Sequence, residues 1–594
     1  MTDHIGIFVA WPYANGPLHV GHIAGAYLPP DIFARYHRMR GNRVLMVSGS
    51  DSHGTPITVS ATRAGVSPRQ FFDRWHQTFL DNFQRLGISF DLFTHTDTRN
   101  HHRVAQDIFL ALLEHGYLYR ETQQQLYSET ENRFLPDRDV EGACPHCGYD
   151  EARGDQCDNC GRLLDALELI NPRSKGDGST PVVRETEHYF LDLPAFSERL
   201  RTWLEKQEHW RSNVRNWALG MIREGLKGRS YTRDLTWGVP VPVEGWEHKV
   251  IYVWFEAVNG YLSASIEWAR NHSEPEAWKA WWYDPSAKGS YFVGKDNIPF
   301  HAVIWPAMLL GTERLYTDDA SQQLNLPYDV PANEHLTLEG RPMSTSRNWA
   351  VWLPDYLERY DPDPLRYYLT IAAPEGKDAD FSWSEFVRRN NDELVATWGN
   401  LANRILNFAH SRFDGRAPAP GPLTATDKKI LSQVEAAFDT IGKLLDQAKF
   451  KVALTEAFAL AHAGNRWLDE RAPWLLIKED REAAATAVFV ALRVIDSLKT
   501  LLYPFLPFTC QALHTYLGYD DDLLGELAIE TFDEDGVTHD ALVYRPGEGP
   551  ANRWKPSELP AGQVLRKPQP LFKKLEPSVA DEELARLREQ AQPA

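Results

Sequence analysis

Cysteine is scarce in this chain, with five residues among 594, and four of the five lie in one paired cluster. This usage fits a reducing cytosol and not a secreted, disulfide-bonded protein. The N-terminus lacks a basic segment followed by an apolar stretch, so no secretory signal is expected. The most apolar long stretch, residues 487–508, is interrupted by Arg493, Asp496 and Lys499, which suits a core-facing helix and not a bilayer span. We therefore expect a cytoplasmic protein that does not enter a membrane.

Positive charge is also in deficit, because the formal net charge at pH 7 is −19. Such a balance argues against a protein that coats nucleic acid non-specifically. It does not exclude a shaped RNA ligand, which local basic patches on an acidic body can bind. The length of 594 residues exceeds what one core supports, so we expect several domains.

The beginning of the chain is typical of a nucleotide-binding α/β unit. Residues 5–10 read as a buried strand, and a loop rich in Pro, Asn and Gly follows at residues 12–17. A helix is predicted over residues 19–40, bent or broken at Pro29 and Pro30, and a second buried strand over residues 44–48. No G-x-G-x-x-G lies in the first turn, so a dinucleotide fingerprint is absent.

The same pattern returns after an insertion, and then the character of the chain changes. Residues 250–255 and 290–293 read as buried strands, with the insertion at about residues 119–230 between the two α/β halves. Beyond about residue 386, apolar residues recur at helical spacing to about Tyr516. We predict an α/β domain that is split by an insertion and followed by an all-α domain.

Residues 11–22, WPYANGPLHVGH, are the most informative local feature. His19 and His22 stand at positions i and i+3 of a helix start and share one face. The helix N-terminus adds free N–H groups and a positive dipole end, and Gly21 allows a bulky ligand to approach the backbone. These parts suit the phosphates of a nucleoside triphosphate. From the residues alone, capping or core histidines remain an equal alternative.

The four clustered cysteines have the spacing of a metal site. Cys144 and Cys147 form one C-x-x-C pair, and Cys157 and Cys160 form the next. Two such turns bring four thiolates around one tetrahedral Zn²⁺, against the alternatives of disulfides or inert thiols. Four thiolates leave no open coordination position, so the metal is expected to be structural. Residues 171–180 hold no cysteine, so we expect a single zinc.

Residues 11–22 resemble the HIGH signature of class I aminoacyl-tRNA synthetases, and their surroundings resemble the methionyl branch of that family. Further blocks continue the resemblance in order, to about residue 576: RYHRMRGN (35–42), GSDSHGTPI (49–57), TWGVP (236–240), YVWFEA (252–257) and GKDNIPFH (294–301). The resemblance implies a Rossmann-like class I catalytic domain, split by a zinc-containing insertion and followed by a helical-bundle anticodon-binding domain. It suggests these divisions: catalytic halves 1–118 and 231–325, insertion 119–230, signature-loop region 326–386, helical domain 387–558, and a C-terminal tail 559–594 that packs back on the body.

The resemblance also implies the reaction, in which ATP activates L-methionine and the methionyl group passes to tRNA(Met). His19 and His22 would donate to phosphate oxygens, and Gly294 and Asp296 would hold the ribose. Mg²⁺ would accompany the ATP phosphates. The ATP-binding residues implied in this way are His19, Gly21, His22, Gly294, Asp296 and Leu336.

The second family signature is KMSKS, and the aligned stretch here is GRPMSTSRN at residues 340–348. Pro342 stands where the first lysine is expected, which removes a charge and stiffens the backbone. Arg341 or Arg347 would supply the missing charge, since both donate to phosphate oxygens; a slowed activation step is the alternative. Ser344 and Ser346 complete the catalytic set that the resemblance implies.

A methionine pocket follows from the same resemblance. Methionine's thioether is polarisable and favours aromatic contacts. Asp51 would bind the substrate ammonium group. The matching residues are Ala10, Trp11, Tyr13, Asp51, Trp254, Ala257, Tyr261 and His301. Asn259 stands where an apolar residue is expected, within the turn that carries the pocket, and puts the pocket shape in question.

Residues 465–474, NRWLDERAPW, resemble the anticodon-reading helix and loop of the family. Trp474 matches the residue that stacks on the first anticodon base, and Asn400 and Arg404 match the polar readers. Two other functions remain: a synthetase-like paralogue with altered specificity or slowed activation, suggested by Pro342 and Asn259, and a non-catalytic tRNA-binding protein. Because the chain ends soon after residue 576 without an appended domain, we expect a monomer.

Overall fold

The computed structural model describes residues 3–136, 139–154, 157, 159–160, 164–319, 321–345, 347–547 and 553–591. Its strands are β1 (His4–Val9), β2 (Arg43–Ser50), β3 (Leu92–His95), β4 (Leu118–Ser128), β5 (Arg133–Phe134), β6 (Val140–Ala143), β7 (Ala152–Arg153), β8 (Ile170–Ser174), β9 (Val182–Leu191), β10 (Arg229–Ser230), β11 (Thr232–Arg233), β12 (Val250–Ile251), β13 (Lys288–Gly294), β14 (Ala332–Asn333), β15 (Leu336–Leu338), β16 (Arg341–Pro342), β17 (Ala379–Phe381), β18 (Glu526–Glu534) and β19 (Val537–Arg545).

Its α-helices are α1 (Val20–His22), α2 (Leu28–Met39), α3 (Thr55–Ala64), α4 (Pro68–Leu86), α5 (Arg99–Glu114), α6 (Ser197–Glu205), α7 (Ser212–Glu224), α8 (Val253–Asn271), α9 (Lys279–Trp282), α10 (Trp305–Gly311), α11 (Leu353–Arg359), α12 (Pro362–Ile371), α13 (Trp383–Arg389), α14 (Asn400–Arg412), α15 (Ala425–Asp446), α16 (Phe450–Arg471), α17 (Pro473–Leu476), α18 (Arg481–Leu502), α19 (Pro507–Tyr516) and α20 (Ser578–Gln590). None of the helices in the described ranges carries an apolar run long enough to cross a membrane.

A mixed sheet forms the centre of the catalytic half. Within the described residues its strand order is β14-β13-β1-β2-β3-β19-β18, and the first five strands are parallel. The buried strands β1, β2 and β13 confirm the predicted α/β unit. Ligands bind at the C-terminal ends of such strands, so this edge of the sheet positions the site.

The polypeptide between β1 and β2 departs from a single α-helix. After α1 a π-helical segment, Ile23–Tyr27, precedes α2. Pro29 and Pro30 lie in the first turn of α2, where a missing N–H breaks no helical hydrogen bond. The helix predicted to be bent or broken at the prolines is therefore continuous, and its irregularity is the π-helical segment that precedes them.

The predicted strand at residues 250–255 is wrong beyond Ile251. Helix α8 begins at Val253, so Trp254 and Phe255 belong to its first turn. Short apolar runs do not distinguish a buried strand from a buried helix, and α8 is buried over much of its surface. The change of element directs Trp254 toward the strand ends.

The helical half contains α14, α15, α16 and α18, as the periodicity beyond residue 386 predicted. The predicted helical range 387–558 also contains the hairpin of β18 and β19, which the sequence did not indicate. β19 pairs with β3, so this hairpin extends the catalytic sheet. Residues 553–591 then run back across the body, where Glu583 of α20 accepts two hydrogen bonds from Arg359, at 2.9 Å each.

A buried ionic network around Asp31 joins the two halves. The Oδ1 atom of Asp31 accepts hydrogen bonds from the backbone N–H and the hydroxyl of Ser89, at 2.8 and 2.6 Å. Its Oδ2 atom accepts from Arg35 at 2.9 Å and from Arg366 at 2.6 Å. Arg35 also donates to the hydroxyl of Tyr503 at 2.9 Å, just after α18. Ser89, Arg35, Arg366 and Tyr503 are all buried. The network therefore has a structural role, which is to hold the two halves of the protein together.

Candidate functional site

A cavity of about 1080 Å³ opens at the C-terminal ends of β1, β2 and β13. The predicted methionine and ATP residues all line it: Ala10, Trp11, Tyr13, His19, Gly21, His22, Asp51, Trp254, Ala257, Tyr261, Gly294, Asp296, His301 and Leu336. The fold therefore brings together residues that are almost 330 positions apart in the sequence. Their proximity supports one ligand site, as the blocks suggested.

The two signature histidines cap the helix that they begin. His19 Nδ1 accepts from the backbone N–H of Gly21 at 3.1 Å, and His22 Nδ1 accepts from that of His19 at 3.2 Å. Their rings stack with centroids 3.7 Å apart. With both Nδ1 atoms acting as acceptors, each neutral ring carries its proton on Nε2. Capping of the helix, which was the alternative interpretation of these histidines, therefore orients their two Nε2–H groups and leaves them available to a ligand.

Desolvation keeps both imidazoles neutral. It lowers the pKa of His19 to about 2, with a further contribution from His22, and that of His22 to about 4. The effect on His22 persists although its side chain is exposed to the cavity. At neutral pH the pair therefore offers hydrogen bonds and not positive charge.

Gly21 is required by the histidines as well as by a ligand. A Cβ atom at this position would lie 2.9 Å from ring atoms of His19 and 3.2 Å from Sδ of Met343. The neighbouring backbone is fixed too, because Val20 N donates to Val351 O at 3.0 Å and Leu353 N donates to Leu18 O at 2.8 Å. The histidine turn and the segment after the signature loop are thus tied to each other.

A hydrogen-bonded pair closes the inner end of the cavity. The Tyr261 hydroxyl lies 2.6 Å from His301 Nε2, and His301 Nδ1 lies 2.9 Å from the carbonyl oxygen of Asn297. The carbonyl can only accept, so His301 carries its proton on Nδ1 and Tyr261 donates to Nε2. Burial lowers the pKa of His301 to about 4. The wall presented here is aromatic and uncharged, as a thioether side chain requires.

The neighbouring wall is an aromatic stack that the sequence analysis only partly identified. Trp254 stacks on Phe300 with centroids 5.1 Å apart and meets Tyr13 edge-on at 6.4 Å. Phe300 was not predicted as a site residue, although it lies in the GKDNIPFH block beside His301. Asn297 from the same block also lines the cavity.

Trp11 fits because two glycines leave room for its indole. A Cβ atom at Gly49 would lie 2.2 Å from Trp11 Cζ3, and one at Gly260 would lie 2.5 Å from Trp11 Cε2. The indole thus lies against the backbone of β2 on one side and of α8 on the other. This packing fixes the position of the Trp11 side chain.

Asp51 is buried at the end of β2 and needs a cation. Burial raises the pKa of its carboxyl well above the usual value, and the charge of Glu256 raises it further. Its Oδ1 atom accepts from the backbone N–H of His53 at 3.2 Å. An ammonium group bound beside Asp51 would favour its charged form, which suits the role predicted for it.

Asn259 lies in the turn that carries the pocket, as predicted, but its side chain does not form part of the pocket surface. Asn259 lies in α8, is fully buried and does not line the cavity, whereas its neighbours Ala257 and Val258 do. Burial raises the pKa of Tyr231, the phenol that lies near Asn259 on this side of α8. The polar side chain therefore lies behind the pocket wall and does not shape the pocket surface.

The signature loop begins as a tight hairpin of β15 and β16. Glu339 and Gly340 have φ of 50° and 73°, the left-handed conformation that such a turn requires. Pro342, Met343 and Thr345 line the cavity.

Arg341, Ser344 and Arg347 do not line the cavity, and Ser346 lies outside the described residues. The guanidinium of Arg341 lies 5.3 Å from the ring centroid of Trp349. Arg347 is exposed.

The cluster of four cysteines fits a tetrahedral ion. Cys144 Sγ and Cys160 Sγ are 3.9 Å apart, and Cys147 Sγ and Cys157 Sγ are 3.6 Å apart. All four cysteines are free. A Zn²⁺ ion with bonds of about 2.3 Å holds its sulfur ligands about 3.8 Å apart. The backbone N–H of Tyr149 and the amide of Asn159 lower the pKa of Cys147 to about 6, which favours the thiolate.

The predicted anticodon residues meet on the surface of the helical half. Arg404 lies over the Trp474 ring, 4.6 Å from its centroid, and donates to Asp469 at 2.7 Å. Asn400 is exposed one turn earlier on α14. The left-handed Ala472, with φ of 39°, ends α16 just before Trp474. This cluster is accessible to a stacking base.

Two family models match the chain. One, described as class I tRNA synthetases (M), matches residues 5–406, and the other, described as the anticodon binding domain of methionyl tRNA ligase, matches residues 417–532. Both halves of the chain are thus covered by families that agree with each other.

Full-length relatives agree with these families. The chain is 60% identical over 592 residues to the methionine–tRNA ligase of Thermomicrobium roseum, covering all of both proteins, and 55% identical over 602 residues to that of Chloroflexus aurantiacus, again covering all of both. A crystal structure of Mycobacterium tuberculosis methionyl-tRNA synthetase bound by methionyl-adenylate matches with a TM-score of 0.75 at 23% identity, over 96% of this chain and 100% of that one. The structural likeness supports the fold.

Proposed function

This chain belongs to the methionyl-tRNA synthetases of class I, and we propose that it activates L-methionine with ATP and transfers it to tRNA(Met) through the residues described above. One observation carries the proposal: His19, His22, Asp51, Tyr261 and His301 face a single cavity. That arrangement places donors for phosphate beside a carboxylate for ammonium and an uncharged aromatic pocket. A merely structural use of these residues would not require an open cavity between them.

In the first step the methionine carboxylate attacks the α-phosphorus of ATP. A bond from the carboxylate oxygen to phosphorus forms, the bond to the bridging oxygen breaks, and pyrophosphate leaves with the electron pair. The Nε2–H groups of His19 and His22 donate to phosphate oxygens as charge develops, since their Nδ1 atoms are already engaged with backbone N–H groups. Catalysis consists mainly of positioning and charge stabilisation.

The amino acid is positioned from both ends. Asp51 binds the ammonium group, while Tyr261 and His301 bound the side-chain pocket with Trp254. Because the Tyr261 hydroxyl donates to His301 Nε2 and the Nδ1–H of His301 donates to the Asn297 carbonyl, neither group has a free N–H or O–H to donate to a polar side chain. This favours a thioether over an isosteric polar side chain.

In the second step a ribose hydroxyl of the tRNA 3′ end, the 2′ hydroxyl in this class, attacks the acyl carbon, and AMP leaves.

Gly294 and Asp296 hold the ATP ribose, and Leu336 lines the same part of the cavity. His335 was not predicted, but its Nε2 lies 3.1 Å from Asp296 Oδ2. We propose that it orients that carboxylate.

The loop arginines replace the missing signature lysine in this proposal. Arg341 and Arg347 are both near Pro342 and both accessible to solvent. Either guanidinium reaches the phosphates only if the loop moves, since neither lines the cavity in this conformation. We propose that ATP draws the loop inward through these charges.

Two metals serve different purposes. Cys144, Cys147, Cys157 and Cys160 would hold one structural Zn²⁺, since their spacing fits four thiolate ligands. Mg²⁺ would accompany the ATP phosphates and neutralise part of their charge.

The catalytic domain and the helical domain have different tasks in this proposal. Residues 1–118 and 231–325 carry the chemistry, with the insertion 119–230 between them and the signature-loop region 326–386 after them. The helical domain, 387–558, reads the anticodon through Asn400, Arg404 and Trp474, and the tail 559–594 packs on the body. We propose a cytoplasmic monomer, and light scattering of the purified chain tests the oligomeric state.

Methionine-dependent ATP–pyrophosphate exchange tests the proposal, with Pro342→Lys, Arg341→Ala and Arg347→Ala beside the wild type. We expect brisk exchange with methionine and poor exchange with norleucine or leucine. Loss of exchange in one arginine variant, with rescue by adding Pro342→Lys to it, would identify the substitute for the lysine. Arg74→Ala, an arginine on α4, is the matched control.

Exchange driven by another amino acid would indicate a paralogue of altered specificity. Pyrophosphate exchange by Pro342→Lys but not by the wild type would indicate that the activation step is slowed in this chain. Binding of tRNA without any exchange would leave a non-catalytic tRNA-binding protein.

A further inference from the structure

Three ionisable side chains outside the cavity converge behind the loop that carries Asp51. His53 follows β2, Asp97 precedes α5, and His102 lies in the second turn of α5. His53 Nε2 and His102 Nε2 lie 3.5 and 3.4 Å from the same oxygen, Asp97 Oδ1. None of the three lines the cavity, and the proposed reaction does not use them.

The Nε2 atoms of the two histidines make no hydrogen bond of ordinary geometry within the described residues. His53 Nε2 and His102 Nε2 are both buried. The His53 side chain is 1% exposed. A buried polar atom without a partner is destabilising, so two such nitrogens that face one carboxylate oxygen form a set of donor atoms suited to a shared ligand.

The separations match those of metal ligands. They exceed the usual range of a hydrogen bond. A tetrahedral ion with bonds of about 2.1 Å to nitrogen and oxygen holds its ligand atoms about 3.4 Å apart. The three candidate ligand atoms all lie within 4.8 Å of one another. The two distances to Asp97 Oδ1 therefore match the spacing of two ligands on one ion, and the three atoms are close enough to be grouped as candidate ligands.

The second layer of contacts also has the form found around metal sites. His53 Nδ1 lies 2.8 Å from Glu256 Oε1, which holds the proton on Nδ1 and directs Nε2 toward Asp97. The other oxygen of Asp97 accepts from Arg69 at 2.9 Å. Metal-ligating histidines typically donate their second N–H to a carboxylate, and ligating carboxylates are themselves hydrogen-bonded.

We propose that His53, Asp97 and His102 form a second metal site, which binds a divalent transition-metal ion such as Zn²⁺. The donor set of two imidazoles and one carboxylate suits such an ion and leaves a coordination position for water. The side chains of His102 and Asp97 are 27% and 16% exposed, so the ion enters from solvent. Bound there, it ties the loop that carries Asp51 to the start of α5.

Counting zinc in the purified chain tests the site. Metal analysis after dialysis against zinc-free buffer should give two zinc ions per wild-type chain, one at the cysteine cluster and one here. His102→Ala and Asp97→Asn should each retain one zinc. His115→Ala is the matched control, since it removes a part-exposed histidine at the end of the same helix and should retain two. Circular dichroism verifies that each variant is folded.

A spectroscopic arm distinguishes the two sites. Co²⁺ added to the chain with zinc still at the cysteines should give ligand-field absorption without thiolate-to-metal charge transfer, and this absorption should be lost in His102→Ala. Co²⁺ that displaces zinc from the cysteines would instead show the charge-transfer band. One zinc per wild-type chain together with no cysteine-independent Co²⁺ absorption, or equal zinc content in wild type, His102→Ala and Asp97→Asn, would overturn the proposal.

Discussion

The junction around Asp31 and the catalytic cavity are both lined by ionisable groups in low-dielectric surroundings, yet they use their hydrogen-bonding capacity differently. At the junction both oxygens of Asp31 accept two hydrogen bonds, all from protein groups. In the cavity, His19 and His22 each accept a backbone hydrogen bond at Nδ1 and have Nε2 available to a ligand. A satisfied cluster stabilises the fold, whereas a half-satisfied and oriented cluster is prepared for a ligand.

The largest effect is expected at the junction. Asp31→Asn leaves Arg35 and Arg366 buried without a counter-charge, so the stability of the folded state should fall by about 3–5 kcal/mol, while exchange activity per folded molecule is retained. Calorimetric unfolding measures the loss. Asp439→Asn, which breaks an exposed i,i+4 pair with Lys443, should cost about 0–1 kcal/mol. Similar losses in the two variants would contradict a structural role specific to Asp31.

The opposite pattern is expected in the cavity. His22→Ala removes a preorganised donor, so the rate of methionine-dependent pyrophosphate exchange should fall about 100- to 1000-fold. The unfolding temperature should change little beside that of Asp31→Asn. A variant that loses stability and rate in parallel would remove the distinction between the two clusters.

The exposed cluster of the helical half extends the comparison to a site far from both. Trp474→Ala should lower kcat/KM for tRNA about 5- to 150-fold, since stacking of one base contributes about 1–3 kcal/mol. Pyrophosphate exchange without tRNA should remain at the wild-type rate. Trp217→Ala, at an exposed tryptophan of the insertion, serves as the control. A fall in exchange for Trp474→Ala would argue that the ring supports the fold instead.

The smallest effect concerns pH and the inner wall of the cavity. The pKa of His301 is about 4 in the folded chain and about 6.5 when unfolded. The unfolded state therefore binds the proton first, and stability that is complete above pH 6.5 is lost as the pH falls toward 4. Between pH 6.5 and 5.5 the wild type should lose about 1 kcal/mol more than His301→Gln, measured by urea unfolding. Identical losses would show that the ring titrates normally.

Much of the catalytic fold was predictable, because its signals are local. The strands at β1, β2 and β13 are apolar runs, and the residues of the cavity follow them directly in recognisable blocks. Residues 253–255 were assigned to the wrong element, since a short apolar run fits a buried helix equally well. The hairpin of β18 and β19 was not anticipated, because its pairing with β3 joins residues about 450 positions apart.

The orientation of individual side chains could not be predicted from the sequence. Asn259 lies three positions from Glu256 on α8, and only the packing of that helix decides that it is turned from the cavity toward Tyr231. The same limit applied to His53, Asp97 and His102. Their spacing in the sequence matches no metal motif, and only the meeting of the loop after β2 with the start of α5 brings the three together.

The indole of Trp11, held between Gly49 and Gly260, restricts how this sequence can change over time. Any side chain gained at either glycine collides with the ring, and a smaller residue at position 11 leaves a void beside both. Position 260 can gain a side chain only if position 11 shrinks first, whereas Gly49 stays constrained in any case, because a Cβ atom there would also lie 2.6 Å from the backbone oxygen of Thr94. Lineages that differ at position 11 should therefore differ at position 260 as well and keep Gly49, and transplanting a larger residue at position 260 alone between them should fail where transplanting positions 11 and 260 together succeeds.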